Sequence, residues 1–122
     1  MKKKQEVVYY LLEVVGFMER ERGRRINYTE FSRTSTIPFK TTTALFDPDD
    51  PRLPSKNNAH KIAVMTGSNR INEILGYPNL DPNYISLMKI YNQLKPEQRD
   101  ALVRYMRGMA DDPNMEVVAA QA

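Results

Sequence analysis

The sequence predicts an all-α protein, in which five short helices are followed by a C-terminal helical hairpin. Apolar side chains recur every three or four residues along most of the 122-residue chain, which places them on one face of an α-helix. Prolines, glycines and capping residues stand where these patterns start and stop. We expect a five-helix domain at 1–78, the hairpin at 79–110 and a flexible tail at 111–122.

The first helix is predicted at residues 4–22. Its apolar positions recur at helical spacing and are Val7, Val8, Leu11, Leu12, Val15 and Met18. Gly23 is suited to end the helix. The arginines around this end are Arg20, Arg22, Arg24 and Arg25. They can complement the negative end of the helix dipole or contact a phosphate backbone, and the sequence leaves both alternatives open.

Two short helices separated by a tight turn are predicted next. Asn27 can cap a helix, and Glu30 stands three residues later, where its side chain can bond back in a capping box. Pro38 interrupts this helix and suits the start of another, predicted at 38–47. In that helix Thr42, Leu45 and Phe46 fall on the inward side.

The next segment, 47–54, holds three prolines and is predicted to be a loop. Ser55 caps the fourth helix, which Gly67 ends, and Ser68 or Asn69 caps a fifth helix that runs to Gly76. These two helices complete the predicted five-helix domain.

The C-terminal hairpin begins at Asp81-Pro82, where the aspartate is an N-cap and the proline is the first helical residue. Lys95-Pro96 separates its two helices. An isolated hairpin would expose an apolar side, which must pack on its own domain or on a second copy of the chain. The candidate dimerisation residues are Tyr84, Leu87, Tyr91, Leu102 and Met106.

Charge distribution and residue composition limit the classes of function that the chain can have. Residues 1–80 carry 13 Lys/Arg against 9 Asp/Glu, whereas residues 81–122 carry 5 against 6, which favours a nucleic-acid partner for the first part. The chain has no cysteine, one histidine and no nucleophile or phosphate-loop motif, so we expect no metal, no cofactor and no enzymatic activity. Glu6 and Glu13 interrupt the first apolar stretch, which argues against a signal peptide and favours a cytoplasmic protein without a membrane span.

From Asn27 to about Leu75 the chain resembles the lambda-repressor-like helix-turn-helix family, also called the Cro/C1 or XRE family. Phe31-Ser32 stands where that family usually has Leu-Ala, and Thr36-Ile37 where it has Gly-Val. The other family positions matched in register are Leu45, Pro54-Ser55, Ile62-Ala63 and Gly67-Ser68. Thr36 departs from the usual turn glycine and requires either a positive φ or a reshaped turn.

The resemblance implies that the helix at 38–47 is a recognition helix for the major groove of double-stranded DNA. The side chains that helical geometry turns away from its inward side are Phe39, Lys40, Thr43 and Ala44. These four are the expected base readers. For Phe39 the alternative is that it folds back into the core.

Further residues are expected to contact phosphates. By resemblance Tyr28 takes the place of a phosphate-contacting and bracing residue, and its alternative is a core tyrosine. Other candidates surround helix N-termini, where backbone N–H groups favour anions. The complete set of expected phosphate contacts is Tyr28, Thr41, Arg52, Lys56, Asn57, Asn58, Arg24 and Arg25. Asp49 and Asp50 would repel a phosphate, and we expect them to face away.

The sequence therefore predicts a sequence-specific DNA-binding transcriptional regulator, acting as a dimeric repressor. One alternative is an antitoxin-type regulator whose C-terminal hairpin or tail holds a toxin. Another is a protein-interaction module that has kept the fold and lost DNA binding, for which Thr36, Phe39 and the acidic loop are the arguments.

Overall fold

The computed structural model describes residues 2–112, and this part of the chain is all-helical, as predicted. Its elements are α1 (Lys3–Arg22), α2 (Tyr28–Ser35), α3 (Phe39–Phe46), α4 (Lys56–Thr66), α5 (Arg70–Leu75), α6 (Pro82–Gln93) and α7 (Pro96–Ala110). One compact unit extends to Lys89, and a second begins at Ile90. The tail predicted at 111–122 lies outside the described residues from position 113 onward.

The core of the first unit is formed by buried apolar side chains from α1 to α6. Its larger members are Val7, Leu11, Phe31, Ile37, Leu45, Ile62, Ile71 and Ile85. Because Ile85 of α6 belongs to this core, the first unit extends past the boundary predicted at residue 78. On α1 the predicted apolar face was wrong at one position. Leu12 was placed on that face but is 52% exposed, whereas Val14 is buried.

Helix starts follow the predicted caps, with one difference. The side chain of Asn27 accepts a hydrogen bond from the Glu30 N–H at 2.9 Å, and Ser55 accepts one from the Asn58 N–H at 3.1 Å. The reciprocal half of the predicted capping box is wrong, because the Glu30 carboxylate binds Arg22 and Arg24 and does not return to Asn27. Two guanidinium groups are stronger partners for a carboxylate than one backbone N–H.

The turn between α2 and α3 is centred on Ile37, whose side chain is fully buried. Thr36, the residue before it, has φ 64° and ψ 19°. Of the two options expected for this position, Thr36 therefore adopts a positive φ, and the turn is not reshaped. The Ile37 N–H donates to Ser35 Oγ at 3.2 Å, and its carbonyl accepts from Ser32 Oγ and Thr42 Oγ1. Both backbone groups of this buried residue are therefore satisfied.

A side-chain amide fixes the segment between α5 and α6. Asn69 accepts a hydrogen bond from the Leu80 N–H at 2.9 Å and donates one to the Leu80 carbonyl at 2.8 Å. The Tyr77 hydroxyl donates to the Pro54 carbonyl at 3.0 Å. The Asn69 bonds tie Leu80 to the start of α5, and the Tyr77 bond ties the segment to the loop that precedes α4.

In the second unit, Leu94 and Lys95 connect the last turn of α6 to α7. The Lys95 N–H donates to the side chain of Gln98 at 2.9 Å at the start of α7. The Arg99 guanidinium lies over the Tyr91 ring, 5.1 Å from its centroid, and Nε donates to the Tyr91 carbonyl. Arg99 thus joins the end of α6 to the start of α7.

Replacing Thr36 with glycine is expected to stabilise the protein. The left-handed conformation costs a β-branched residue about 1–2 kcal/mol, and glycine removes this cost. Glycine also raises the conformational entropy of the unfolded chain, which offsets part of the stabilisation. We expect Thr36→Gly to raise the free energy of unfolding by about 0.5–1 kcal/mol in urea denaturation. The matched control, Thr34→Gly within α2, should lower it by about 0.3–0.5 kcal/mol. Destabilisation by both variants would contradict the assigned turn.

Candidate nucleic-acid interface

Helix α3 has one buried and one exposed side. Thr42, Leu45 and Phe46 are buried, which confirms the inward side predicted for this helix. Phe39 is 50% exposed, so the alternative that it folds into the core is wrong. Lys40 is also exposed and makes no ion pair among residues 2–112. The first turn of α3 therefore presents an aromatic ring and a cation to solvent.

Ala44 does not belong to this exposed side. Its side chain is 6% exposed, so the prediction that it projects outward is wrong. The Ala44 carbonyl accepts a hydrogen bond from Lys4 Nζ at 2.8 Å, and the Arg52 carbonyl accepts another at 2.7 Å. Burial lowers the pKa of Lys4. The start of α1 covers the last turn of α3 and removes Ala44 from the set of accessible readers.

Thr41 and Thr43 are half-buried at the border of the exposed side. The Thr43 hydroxyl donates to the Lys40 carbonyl at 2.9 Å, a bond within the helix. Its oxygen keeps lone pairs that can accept, and its methyl group can make apolar contacts. Thr43 can therefore still accept a hydrogen bond and make an apolar contact, as expected of a base reader.

Tyr28 combines a packed ring with a free hydroxyl. Its ring stacks on Phe46 with centroids 4.8 Å apart and an interplanar angle of 26°. Phe31 meets the same Phe46 ring edge-on at 5.0 Å. The Tyr28 side chain is half-exposed, and within residues 2–112 its hydroxyl has no hydrogen-bond partner. Tyr28 thus braces the end of α3, as the resemblance implies, and its phenol faces solvent.

The arginines at the end of α1 are not equivalent. Arg22 and Arg24 both bind the Glu30 carboxylate, with 2.6 Å between Arg24 and its partner oxygen. The hydrogen bond from Arg24 holds the pKa of Glu30 below its usual value, and Glu30 in turn raises the pKa of Arg24. Arg25 is exposed and makes no ion pair in the described part of the chain. Of the two predicted phosphate contacts here, Arg24 shares the Glu30 carboxylate with Arg22, whereas Arg25 has no carboxylate partner among the described residues.

Arg52 is likewise engaged by a carboxylate. Its guanidinium bonds to Asp50, with 2.9 Å between Nη2 and Oδ2, and its backbone N–H donates to the same side chain. These bonds hold the pKa of Asp50 at about 2. Asp50 therefore faces Arg52, and Asp49 is exposed at the surface of the loop. Lys4 Nζ donates to the Arg52 carbonyl and so ties the loop to the start of α1.

The start of α4 supplies the remaining predicted contacts. Ser55 Oγ accepts from the Asn58 N–H, and Lys56 and Asn57 are exposed. Lys56 and Asn57 also line an open groove of about 360 Å³ together with His60, Asn72, Tyr77, Pro78 and Leu80. Their side chains lie where the α4 N-terminus meets this groove, and the N-terminus itself can bind an anion.

The candidate dimerisation residues do not form one surface within a single unit. Tyr84 and Leu87 belong to the first unit, and the hydroxyl of Tyr84 lies 3.0 Å from His60 Nε2. The members in the second unit are Tyr91, Leu102 and Met106, of which Met106 is exposed.

Two residues of this region were missed by the sequence prediction. Lys4 holds the end of α3, but no sequence pattern links it to carbonyls 40 and 48 residues away. Arg33 on α2 is exposed and, within residues 2–112, makes no ion pair. Helical periodicity could have identified Arg33, because it lies on the outward side of α2, two residues after buried Phe31.

Comparison of the chain with protein-family models, with curated proteins and with solved structures gives no match. Across residues 2–112 there is no cluster of three or more metal-binding side chains. No helix in that range has the length and apolar character needed to cross a membrane.

Substitutions at Tyr28 separate its two roles. Tyr28→Phe keeps the stacking ring, so we expect unchanged thermal stability and, if the phenol meets a phosphate, about fivefold weaker DNA binding. Tyr28→Ala removes the stack and should lower the free energy of unfolding by about 1–2 kcal/mol. Equal DNA affinity of the Phe variant and the unmodified chain would assign Tyr28 to packing alone.

The Asp50 carboxyl is expected to titrate at pH about 2 when followed by ¹³C NMR. Since this value lies below the ordinary 3.8, the stabilisation from its bonds to Arg52 is complete above pH 3.8 and is lost as the pH falls through 2. Arg52→Gln should return the midpoint toward 3.8, and Lys56→Gln should leave it in place. A midpoint near 3.8 in the unmodified chain would contradict the ion pair.

Proposed function

We propose that this protein is a transcriptional regulator that binds double-stranded DNA with sequence specificity. In this proposal α2 and α3 form a helix-turn-helix unit within a lambda-repressor-like five-helix domain, and α3 enters the major groove. The observation that carries the proposal is the first turn of α3. It exposes Phe39 and Lys40 on a short helix whose opposite side is anchored in the core.

The exposed side chains have the chemistry needed to read base edges. The Lys40 ammonium can donate to O6 or N7 of guanine, and the Phe39 ring and Thr43 methyl can pack against thymine methyls. Because Leu45 and Phe46 are buried and Tyr28 stacks on Phe46, these readers are held on a rigid element. Ala44 has no part in this reading.

Phosphate contacts would position the helix. Among the described residues, the exposed cations without an ion pair near these elements are Arg25, Arg33, Lys40 and Lys56. The N-termini of α2 and α4 add backbone N–H groups, and the Tyr28 phenol adds a donor. One such module reads few base pairs, so the proposal includes a dimer on a palindrome with half-sites about 34 Å apart. Occupying an operator in the cytoplasm would then repress transcription by steric exclusion.

A protein-interaction module is the competing function, and one observation favours it. Arg24 and Arg52, two of the cations expected to contact phosphates, are each bound to a carboxylate. Such a surface attracts DNA less strongly than the sequence suggests. The two functions differ in salt dependence, because DNA binding releases counterions in proportion to the phosphates neutralised.

The test is selection of sites from a random duplex pool, followed by salt titration on the selected site. We expect a palindrome, and Lys40→Ala should weaken binding by about 1–3 kcal/mol if it contacts a guanine. Arg70→Ala is the matched control, since this cation lies on α5, whose main packing partners are α1 and α4. Its affinity should stay near that of the unmodified chain. No enriched site, with weak binding that does not depend on salt, would favour the protein-interaction module.

A further inference from the structure

The groove beside the start of α4 contains a buried amide with an unused acceptor. Asn72 lines this groove, and only 2% of its surface is exposed. Its Nδ2 donates to Asn69 Oδ1 at 3.1 Å, whereas its own Oδ1 accepts no hydrogen bond within residues 2–112. Every fully buried side-chain nitrogen or oxygen in that range has a partner, so Oδ1 must reach solvent, and the groove that Asn72 lines is its opening. A nearly buried acceptor without a partner is a point at which a ligand can donate a hydrogen bond.

The apolar walls of the groove are held in place by hydrogen bonds. The residues that supply these walls are Tyr77, Pro78 and Leu80. The Tyr77 hydroxyl donates to the Pro54 carbonyl, and the backbone N–H and carbonyl of Leu80 both bond to the Asn69 side chain. A site that is formed before binding loses little entropy when a ligand enters it. The groove volume of about 360 Å³ lies in the range of about 300–1,000 Å³ that is usual for small-molecule sites.

The α4 side of the groove is positive. Lys56 and Asn57, the first two residues of α4, line it. Because Ser55 caps only the Asn58 N–H, the backbone N–H groups of Lys56 and Asn57 have no partner in the described part of the chain. Lys56 makes no ion pair there, and none of the described residues that line the groove is acidic. This side of the groove is therefore complementary to a carboxylate.

His60 is a further lining residue whose position is fixed. Its Nε2 lies 3.0 Å from the Tyr84 hydroxyl, and the two rings meet edge-on with their centroids 5.5 Å apart. His60 follows Lys56 by four residues, so both side chains lie on the same face of α4. A ligand in the groove therefore meets an ordered imidazole ring beside the cation.

We propose that this groove binds a small aromatic carboxylic acid that carries an N–H or O–H donor. The carboxylate binds Lys56 and the N-terminus of α4, the ring packs against Tyr77, Pro78 and Leu80, and the donor bonds to Asn72 Oδ1. An aromatic ring suits these walls because it can stack on the Tyr77 ring. The proposal goes beyond the proposed function, since this binding requires no DNA.

The ligand would also regulate the proposed function. Lys56 and the N-terminus of α4 are expected to contact a DNA phosphate, and a carboxylate bound there competes with that phosphate. We therefore expect the ligand to weaken DNA binding. This consequence rests on the proposed function, whereas the ligand site itself does not.

NMR titration of the full chain with indole-3-acetate, in buffer without DNA, tests the site. This probe has a carboxylate, an aromatic ring and an N–H donor. We expect saturable shifts of the Asn72 side-chain amide and of the ring of His60, the only histidine in the sequence, with a dissociation constant of about 1 mM or lower. The absence of saturable shifts at these two residues would overturn the proposal.

Two matched probes test the role of each ligand group. Indole-3-acetamide lacks the charge and 1-methylindole-3-acetate lacks the N–H donor, so each should bind about fivefold more weakly or worse. These probes test the Asn72 acceptor without a substitution at a buried position. Equal affinity for the acid and the amide would mean that the groove holds neutral molecules, and this would overturn the assigned ligand class.

A substitution tests the position of the carboxylate. Lys56→Gln should weaken the binding of indole-3-acetate by about fivefold or more and leave that of indole-3-acetamide unchanged. The control is Lys3→Gln, which removes an exposed cation of α1 that is not among the lining residues, and it should leave both affinities in place. Equal losses in the two variants would assign the effect to net charge and reject the site.

The regulatory effect is measured on the selected DNA site. Saturating indole-3-acetate should weaken DNA binding by about threefold or more, and sodium acetate at the same concentration, which matches the ionic strength, should not. Unchanged DNA affinity in the presence of bound indole-3-acetate would reject the competition. Because the NMR titration contains no DNA, a failure of DNA binding would reject the proposed function and not the ligand site.

Discussion

Burial of Ile37 in the turn between α2 and α3 is the constraint on which the arrangement of these helices depends. Its side chain joins the core, and this takes the backbone N–H and carbonyl of the same residue out of water. The hydroxyl groups of Ser32, Ser35 and Thr42 supply the hydrogen bonds that these two backbone groups need. Ser35 and Thr42 are two of the few buried polar residues in the described chain, and their position here explains why they are polar. The turn is thereby fixed in direction, and so is the start of α3.

The far end of α3 is held by different forces. Phe46 receives a stacked ring from Tyr28 and an edge-on ring from Phe31, and Lys4 binds the carbonyl of Ala44. A cation at this point also complements the negative end of the α3 dipole. With both ends fixed, the exposed first turn has little freedom, so a surface built on it loses little entropy on contact with a partner.

Local patterns in the sequence predicted the helices well, because caps act over three or four residues. Asn27, Ser55 and Gly67 stand at the helix ends where they were expected. The helical period also predicted which side of α3 faces the core. It does not say how many residues beside that side are buried as well. Ala44 lies near the edge of that side and is buried because α1 covers it, which depends on Lys4, 40 residues earlier. The partners of Glu30 could not be predicted from the helical period of α2 either, since Arg22 ends α1 and Arg24 lies in the loop that follows it.

The bonds of Lys4 have a consequence for how the chain folds. They join residue 4 to residues 44 and 52, so forming them closes a loop of more than a third of the chain. The entropy lost in closing such a loop comes before any gain from the bonds, whereas the contacts around Ile37 span only a few residues. The start of α3 is thus held by local contacts and its end by non-local ones. Within this eight-residue helix, the contacts at the start can form early in folding, whereas those at the end form late.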